Sequence, residues 1–463
     1  MPRMSLAGLL ARVGAAGGAG LRRRLGSRSA ARDRRGDLAV GDDNGPLAAA
    51  PDAPVVSVID CGAGLIKALV VEPDRLASGP TGVRVRGIGV TPMPDPAEAG
   101  GEVDRQAFMD AVESALRGAE DIAGVVPRRA FLAVPGAHAV VARGEASIGR
   151  VAPHASVTED EVLEVISRAQ AVALEQARTL VAADRGEVPV LETVIAALFA
   201  LSVDGRRVTR AAGLRGGRLG ASLAVAATDA SVVADLRALA GYLDLELVGL
   251  LAVPAALGSA VRAGTSEAGA IVIDVGAGAT TVAIVGPAGT EVAMSIPVGV
   301  GLLEDHLAMI AGLRRREARH AVWPATAPDA PERADVRRHV RDASRALATA
   351  WLDALEVRLA DLRRGRTLPQ AIRMCGGGSM LGEIRVALEG RAWASPLFDG
   401  PPTVTTIAVT DLANLIVDAS VPAAVPDAIL VPTLALGVAA VQGLHGSEEP
   451  GGAGALIRRL RLA

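Results

Sequence analysis

The sequence predicts an α/β protein of two related lobes around a cleft, on three observations. Residues 55–71 (VVSVIDCGAGLIKALVV) and 269–285 (GAIVIDVGAGATTVAIV) each run an apolar strand into Asp-x-Gly-x-Gly and back into a second apolar strand. One such hairpin falls in each half of the 463-residue chain, the mark of a duplicated architecture. A third glycine run, Gly376, Gly377, Gly378 and Ser379, follows the apolar stretch 371–374.

Each of these elements has a chemical reason. Gly62 and Gly64 in the first tip, and Gly276 and Gly278 in the second, let backbone N–H groups approach an anion because no Cβ stands in the way. Asp60 and Asp274, at strand ends, can hold the water shell of a magnesium ion beside phosphates. Two such hairpins facing each other are what a clamp on ATP requires, and residues 376–379 could cover the adenosine. Lys67, seven positions after Asp60, is the only lysine among 48 basic residues. Its compact ammonium suits a phosphate where an arginine fork need not fit. The alternative is a lysine that survives by chance at a strand edge.

Composition narrows the classes. Half of the residues are apolar and only 2% aromatic, so the cores are built from Ala, Val and Leu. A formal net charge of −3 supplies no basic field, which argues against general nucleic-acid binding. Cys61 and Cys375 stand beside glycine loops and not at metal or disulfide spacing, which points to a reducing compartment and away from zinc. The most apolar runs, 247–261 and 428–441, contain Pro254 and Pro432 and fall short of a bilayer span. Buried elements of a soluble fold are the expectation for both.

Along the chain, residues 1–50 are expected to form a disordered basic arm. Their composition resembles a transit peptide, with a flexible arm or a mis-assigned start as the alternatives. The first lobe is expected over 55–127, with a helix over 104–116, and is completed by 229–266 and about 425–444. A strand–helix–strand–strand insertion over 128–228 interrupts it, beginning with a strand over 130–134. Within it, Thr158 and Glu161 form a capping box, and Val162, Val165, Ile166 and Ala169 keep helical spacing. Strands over 191–203 and from 208 are joined by Asp204-Gly205, a tight-hairpin dipeptide, and a glycine-rich bend at 213–217 leads into a strand over 219–227. The second lobe spans 267–424 and includes an Arg-rich helical region, 302–366, broken by a Pro-rich loop at 323–331. A linker over 445–454 precedes ALIRRLRLA (455–463), which on a helix groups Leu456, Ile457 and Leu460 away from Arg458, Arg459 and Arg461. Such a helix suits an anionic membrane surface, and a frayed terminus is the alternative.

Together these residues resemble the actin-like ATPase superfamily. The run from Asp60 to Lys67 looks like its first phosphate loop, Asp274 to Thr281 like its second, and 376–379 like its adenosine motif, in the right order. Phe199, Val203, Asp204, Gly205 and Val208, followed by Gly213, Gly216 and Leu219, are similar to the inserted subdomain of the FtsA cell-division family. The resemblance covers about residues 55–462. It implies Mg2+ and ATP between the lobes, faced by Asp60, Gly62, Ala63, Gly64, Lys67, Asp274, Gly276, Gly278, Thr280, Glu317 and residues 376–379. Asp60 and Asp274 would hold the metal. It further implies a scaffold that polymerises with ATP and binds the C-terminal tail of FtsZ. That scaffold would tether to the cytoplasmic membrane face at the division site through 455–463.

The departures from the family matter. Ala63 stands where FtsA usually has a hydroxyl, and Ala277 and Ala279 replace two residues of the usual glycine-rich second loop. The family's Ala-Glu-x-x-Lys pattern survives only as Glu317 followed by His320. ATP binding is therefore expected to persist while hydrolysis is slow or absent. The spacing of Lys67 also matches PilM, a related type IV pilus scaffold. A sugar or acetate kinase is a third reading, opposed by the lack of a further acidic motif near either hairpin.

Overall fold

The computed structural model describes residues 55–75, 81–95, 104–186, 190–261, 269–323, 334–363, 367–422 and 425–445. The basic arm, the linker beyond His445 and the terminal amphipathic segment lie outside them.

The first lobe begins with the apolar hairpin. Strand β1 (Val56–Cys61) pairs antiparallel with β2 (Leu65–Arg75), and β2 with β3 (Thr81–Pro92). Helix α1 (Arg105–Ala123) starts where the Asp104 side chain accepts the Ala107 N–H, and stops at Gly124 in the left-handed region (φ 67°). Strand β4 (Arg129–Val134) then lies parallel to β1.

Next come β5 (Val140–Gly149), α2 (Glu159–Arg185), β6 (Leu191–Val203), β7 (Arg206–Val208) and β8 (Arg218–Asp229). The Thr158–Glu161 capping box forms with both of its hydrogen bonds. Asp204 and Gly205 both take positive φ (49° and 76°), as a two-residue turn between β6 and β7 requires. The first lobe resumes with α3 (Ala230–Tyr242), β9 (Glu246–Ala252) parallel to β4, and α4 (Val253–Val261).

The second lobe repeats the pattern with β10 (Ala270–Val275), β11 (Thr280–Gly286) and β12 (Gly289–Ile296). Helices α5 (Gly301–Ala311), α6 (Arg315–Val322) and α7 (Ala334–Arg363) follow, then β13 (Ala371–Cys375) and α8 (Gly382–Glu389). Strands β14 (Thr403–Thr406) and β15 (Leu415–Val417) precede α9 (Asp427–His445).

Topology exposes the duplication. One sheet has the order β15-β3-β2-β1-β4-β9 and the other β14-β13-β10-β11-β12-β5-β8-β6-β7. The run β3-β2-β1-β4-β9 has its counterpart in β12-β11-β10-β13-β14, with β1 and β10 each antiparallel to one neighbour and parallel to the other. The expected insertion divides between the lobes. Arg129–Val134, grouped with it by sequence, is an inner strand of the six-stranded sheet. Strands β5 to β8 extend the second lobe's sheet, joined to β12 through the Val141–Ala293 pair.

Two cores follow. One surrounds the six-stranded sheet with α1, α4 and α9, and reaches the near face of the larger sheet at Val272, Ala283 and Ala293. The other covers the opposite face, where Val165, Ile166 and Ala173 of α2 share a cluster with Trp351, Leu355 and Leu359 of α7. Within α9, the window 427–444 is long and apolar enough to cross a membrane, contrary to the expectation from run length. Pro432 does not break the helix, and 72% of that window is buried inside the fold, so it serves here as a core helix between the lobes.

Candidate functional site between the hairpin tips

The β1–β2 pairing sets Asp60 opposite Lys67, and the β10–β11 pairing sets Asp274 opposite Thr281. Lys67 Nζ lies 2.7 Å from Asp60 Oδ2, and both residues are buried. Thr433 of α9 donates its hydroxyl to the same oxygen at 2.8 Å. Asp60 is thus neutralised and hydrogen-bonded where it is buried, as an interior charge requires. Asp274 faces the same group from the other lobe. Burial pushes its carboxyl up to about 6; the nearby Lys67 ammonium pulls it down and Asp60 adds to the rise. One cation therefore serves two carboxylates. Burial also raises the Cys61 and Cys375 thiols far above their usual range, which leaves both unreactive.

The glycine run after β13 adjoins this cluster. Gly376 has φ 80°, and a Cβ there would stand 2.3 Å from Asp274 Oδ1, so only glycine fits. Its N–H donates to the Ala428 carbonyl at the start of α9 (2.7 Å). Ser379 closes its own turn by donating its hydroxyl to the Gly376 carbonyl at 2.7 Å. Gly377 lies nearest Ile429, and Gly378 is packed against Val275 and Val300.

The tips themselves touch. A Cβ built on Gly64 would lie 2.8 Å from the Ala277 methyl, and one built on Gly278 would lie 2.8 Å from the Ala63 methyl. Behind the second tip, Gly276 N–H donates to the Ala279 carbonyl (3.0 Å), and Val300 and Gly301 donate to the Gly276 and Ala277 carbonyls (3.0 and 2.8 Å). Gly62 is close-packed within its own turn, where a Cβ would meet the Leu65 carbonyl at 2.9 Å.

Two expected site residues are engaged elsewhere. Thr280 is fully buried; its hydroxyl donates to the Val298 carbonyl (2.7 Å) and accepts from the Trp351 indole (2.9 Å). Glu317 is exposed, and its carboxylate accepts the Arg314 N–H (2.8 Å) to cap its own helix. In its place α6 sends Arg319 inward. Arg319 Nε lies 3.2 and 3.3 Å from the two oxygens of the buried Glu304, and Nη1 lies 3.4 Å from the Gly64 carbonyl across the cleft. Sequence reading missed Arg319, Glu304 and Thr433. One arginine among 47 carries no signal, and a threonine in an apolar helix shows no partner until the fold brings Asp60 to it.

No model of a known protein family matches the chain, and no curated protein sequence matches it. Among solved structures, PilM in the PilM–PilN type IV pilus biogenesis complex superposes with a TM-score of 0.56 at 16% identity. That match covers 83% of this chain and 98% of the other. The fold is actin-like. The ethanolamine utilization protein EutJ from Carboxydothermus hydrogenoformans (TM-score 0.39, 16% identity, 85% and 91% covered) is more distant. So is the activator of 2-hydroxyisocaproyl-CoA dehydratase from Clostridium difficile, solved with bound ADPNP (TM-score 0.36, 8% identity, 85% and 97% covered).

The residues fit a magnesium nucleotide in kind. A buried lysine, two carboxylates short of positive charge and glycine-tipped turns are a suitable donor set. The tips themselves are in van der Waals contact through Ala63 and Gly278 and through Gly64 and Ala277.

Proposed function

We propose that this chain is a nucleotide-binding, actin-like scaffold that recruits a peptide segment of a larger membrane-associated machine. The observation that carries the nucleotide half is the meeting of Asp60, Lys67 and Asp274 between two glycine-tipped hairpins, beside the Gly376 turn. Mg-ATP would lie with Asp60 and Asp274 on the metal's water shell, Lys67 toward the phosphates and residues 376–379 on the adenosine side. Any ATPase activity would be slow, because Thr280 and Glu317 are engaged in structural hydrogen bonds.

The scaffold half has two readings. A pilus-type assembly role is supported by a fold match that spans 98% of PilM, a protein solved in complex with PilN. A division role, as a polymerising tether of FtsZ on the cytoplasmic membrane face, is supported by the run from Phe199 to Leu219 and by the basic amphipathic residues 455–463. The deciding experiment is binding of the purified chain to two peptides from its own host, a PilN-type N-terminal segment and an FtsZ C-terminal tail. Binding to the first alone is the expected outcome. Binding to the second alone establishes the division reading, and binding to neither removes the scaffold assignment.

A further inference from the structure

We propose that the far end of the β5–β8 segment is a docking surface for an acidic segment of a partner protein that also carries aliphatic side chains. This surface lies outside the nucleotide cleft, so the inference goes beyond the nucleotide and peptide readings above and does not depend on them.

The first support is charge. Residues 150–157 and 204–218 meet at this end, and Arg206, Arg207, Arg210, Arg215 and Arg218 are all exposed there. Five arginines so close together stand out in a chain whose formal net charge is −3. The same two stretches hold one acid, Asp204, whose Oδ1 accepts the N–H groups of Gly217 and Arg218, both at 2.8 Å. The adjoining first turn of α2 adds Glu159, Asp160 and Glu161, and Glu161 is paired with Arg150. Among the described residues none of the five arginines forms an ion pair.

The second support is rigidity. The Arg150 side chain, only 2% exposed, donates to the carbonyls of Ala155, Ser156 and Gly216 (3.1, 3.1 and 2.8 Å) and to Glu161 at 2.9 Å. Backbone N–H groups of Arg150, Gly216 and Val157 donate to the carbonyls of Gly217, Pro153 and Leu214 (2.8, 3.1 and 2.7 Å). Gly213, at φ 88°, donates back to the Val157 carbonyl at 2.9 Å. The two stretches are thus stitched together before a partner arrives, and a pre-ordered surface loses little entropy on binding.

The third support is apolar. Val151 is fully exposed and Leu214 is 41% exposed on these same loops. Charge on a short terminal strand also keeps a sheet edge from pairing, and β7 is such a strand. That role accounts for Arg206 and Arg207 and leaves Arg210, Arg215, Val151 and Leu214 without a reason.

Arginine forks match carboxylates two bonds at a time, which points to a chain rich in Asp or Glu. A bilayer is held by a larger apolar face than one valine and one leucine. Single-stranded nucleic acid is held by aromatic faces, which neither stretch contains. Strand β5 carries this end away from the crossing between the lobes by roughly 30 Å, at about 3.3 Å per residue.

Fluorescence anisotropy with a labelled peptide of Asp, Glu and Leu tests the surface on the full chain. Wild type is expected to bind it, and Arg210→Glu combined with Arg215→Glu to weaken binding by about tenfold or more, because like charges repel across an interface. Val151→Ser is expected to weaken it about threefold, which diffuse attraction between charges does not produce. These variants alter exposed side chains and should keep the wild-type thermal midpoint. Equal affinity of wild type and either variant would overturn the proposal, as would absence of binding by wild type. Preference for phosphatidylglycerol vesicles or for an oligonucleotide over the peptide overturns it too. Failure of the PilN-type and FtsZ-tail peptides bears on the scaffold reading alone and leaves this comparison intact.

Discussion

At the scale of single residues, the cluster of two aspartates and one lysine governs the site. Lys67 and the Thr433 hydroxyl both engage Asp60 Oδ2, whereas Asp274 relies on the same ammonium from farther off. The consequence is a pH dependence of folding. In the unfolded chain Asp274 loses its proton near its usual value of 3.8, but in the folded protein it keeps it up to about 6. Its protonation therefore stabilises the fold below about pH 4, and that contribution is lost as pH rises through about 6. Asp274→Asn should flatten the urea midpoint measured across that window, with Asp235, also held up to about 6 by burial, supplying what remains. A slope identical to wild type would place the titrating group elsewhere. Thr280 and Thr281 teach a related lesson. Adjacent strand residues point to opposite faces, so Thr280 meets Trp351 of α7 while Thr281 lies 2.9 Å from the Ser295 hydroxyl, which donates to the Gly136 carbonyl (2.7 Å). From sequence Thr280, and not Thr281, is expected to face the nucleotide; in the fold both hydroxyls are engaged inside the protein.

At the scale of elements, local chemistry was legible wherever it acts over a few residues. The capping box of α2, the Asp204-Gly205 turn and both Asp-x-Gly hairpins depend on backbone geometry that the sequence states outright. The division of the inserted segment was not, because β4 and β5 are both short apolar runs and nothing local tells which sheet each will join. The Gly376 turn combines local and tertiary constraint. Gly376→Ala must adopt φ 80° with a Cβ 2.3 Å from Asp274 Oδ1, and should lower the thermal midpoint by the equivalent of about 2 kcal/mol or more. Gly382→Ala, where a Cβ meets nothing within 4 Å, is the control and should unfold at or near the wild-type temperature. Equal behaviour of the two would mean that the turn relaxes at no cost.

At the scale of the whole molecule, cores and chain order disagree. Helix α2 belongs by sequence to a segment interrupting the first lobe, yet it shares a hydrophobic cluster with α7 of the second. Cooperative units follow shared burial rather than sequence proximity. Leu355→Ala in α7 removes buried side-chain volume at a cost of about 2–5 kcal/mol. Native-state hydrogen exchange should then show α2 losing protection along with α7 while α1 keeps its own. Loss of protection in α1 with α2 unaffected would return the inserted segment to the first lobe.

The sequence by itself determined the duplication, the two aspartate hairpins, the glycine run and the helix and turn signals. Each of these is a pattern of period, cap or backbone freedom carried by residues close together in the chain. Tertiary structure alone decided that one lysine serves aspartates from both lobes, that Thr433 and Arg319 belong to the cleft, and that Thr280 and Glu317 are engaged elsewhere. It also decided that the tips meet. Those outcomes depend on distances between residues far apart in the chain, such as Thr433 and Asp60, set by how two sheets and the helices between them bury their apolar faces.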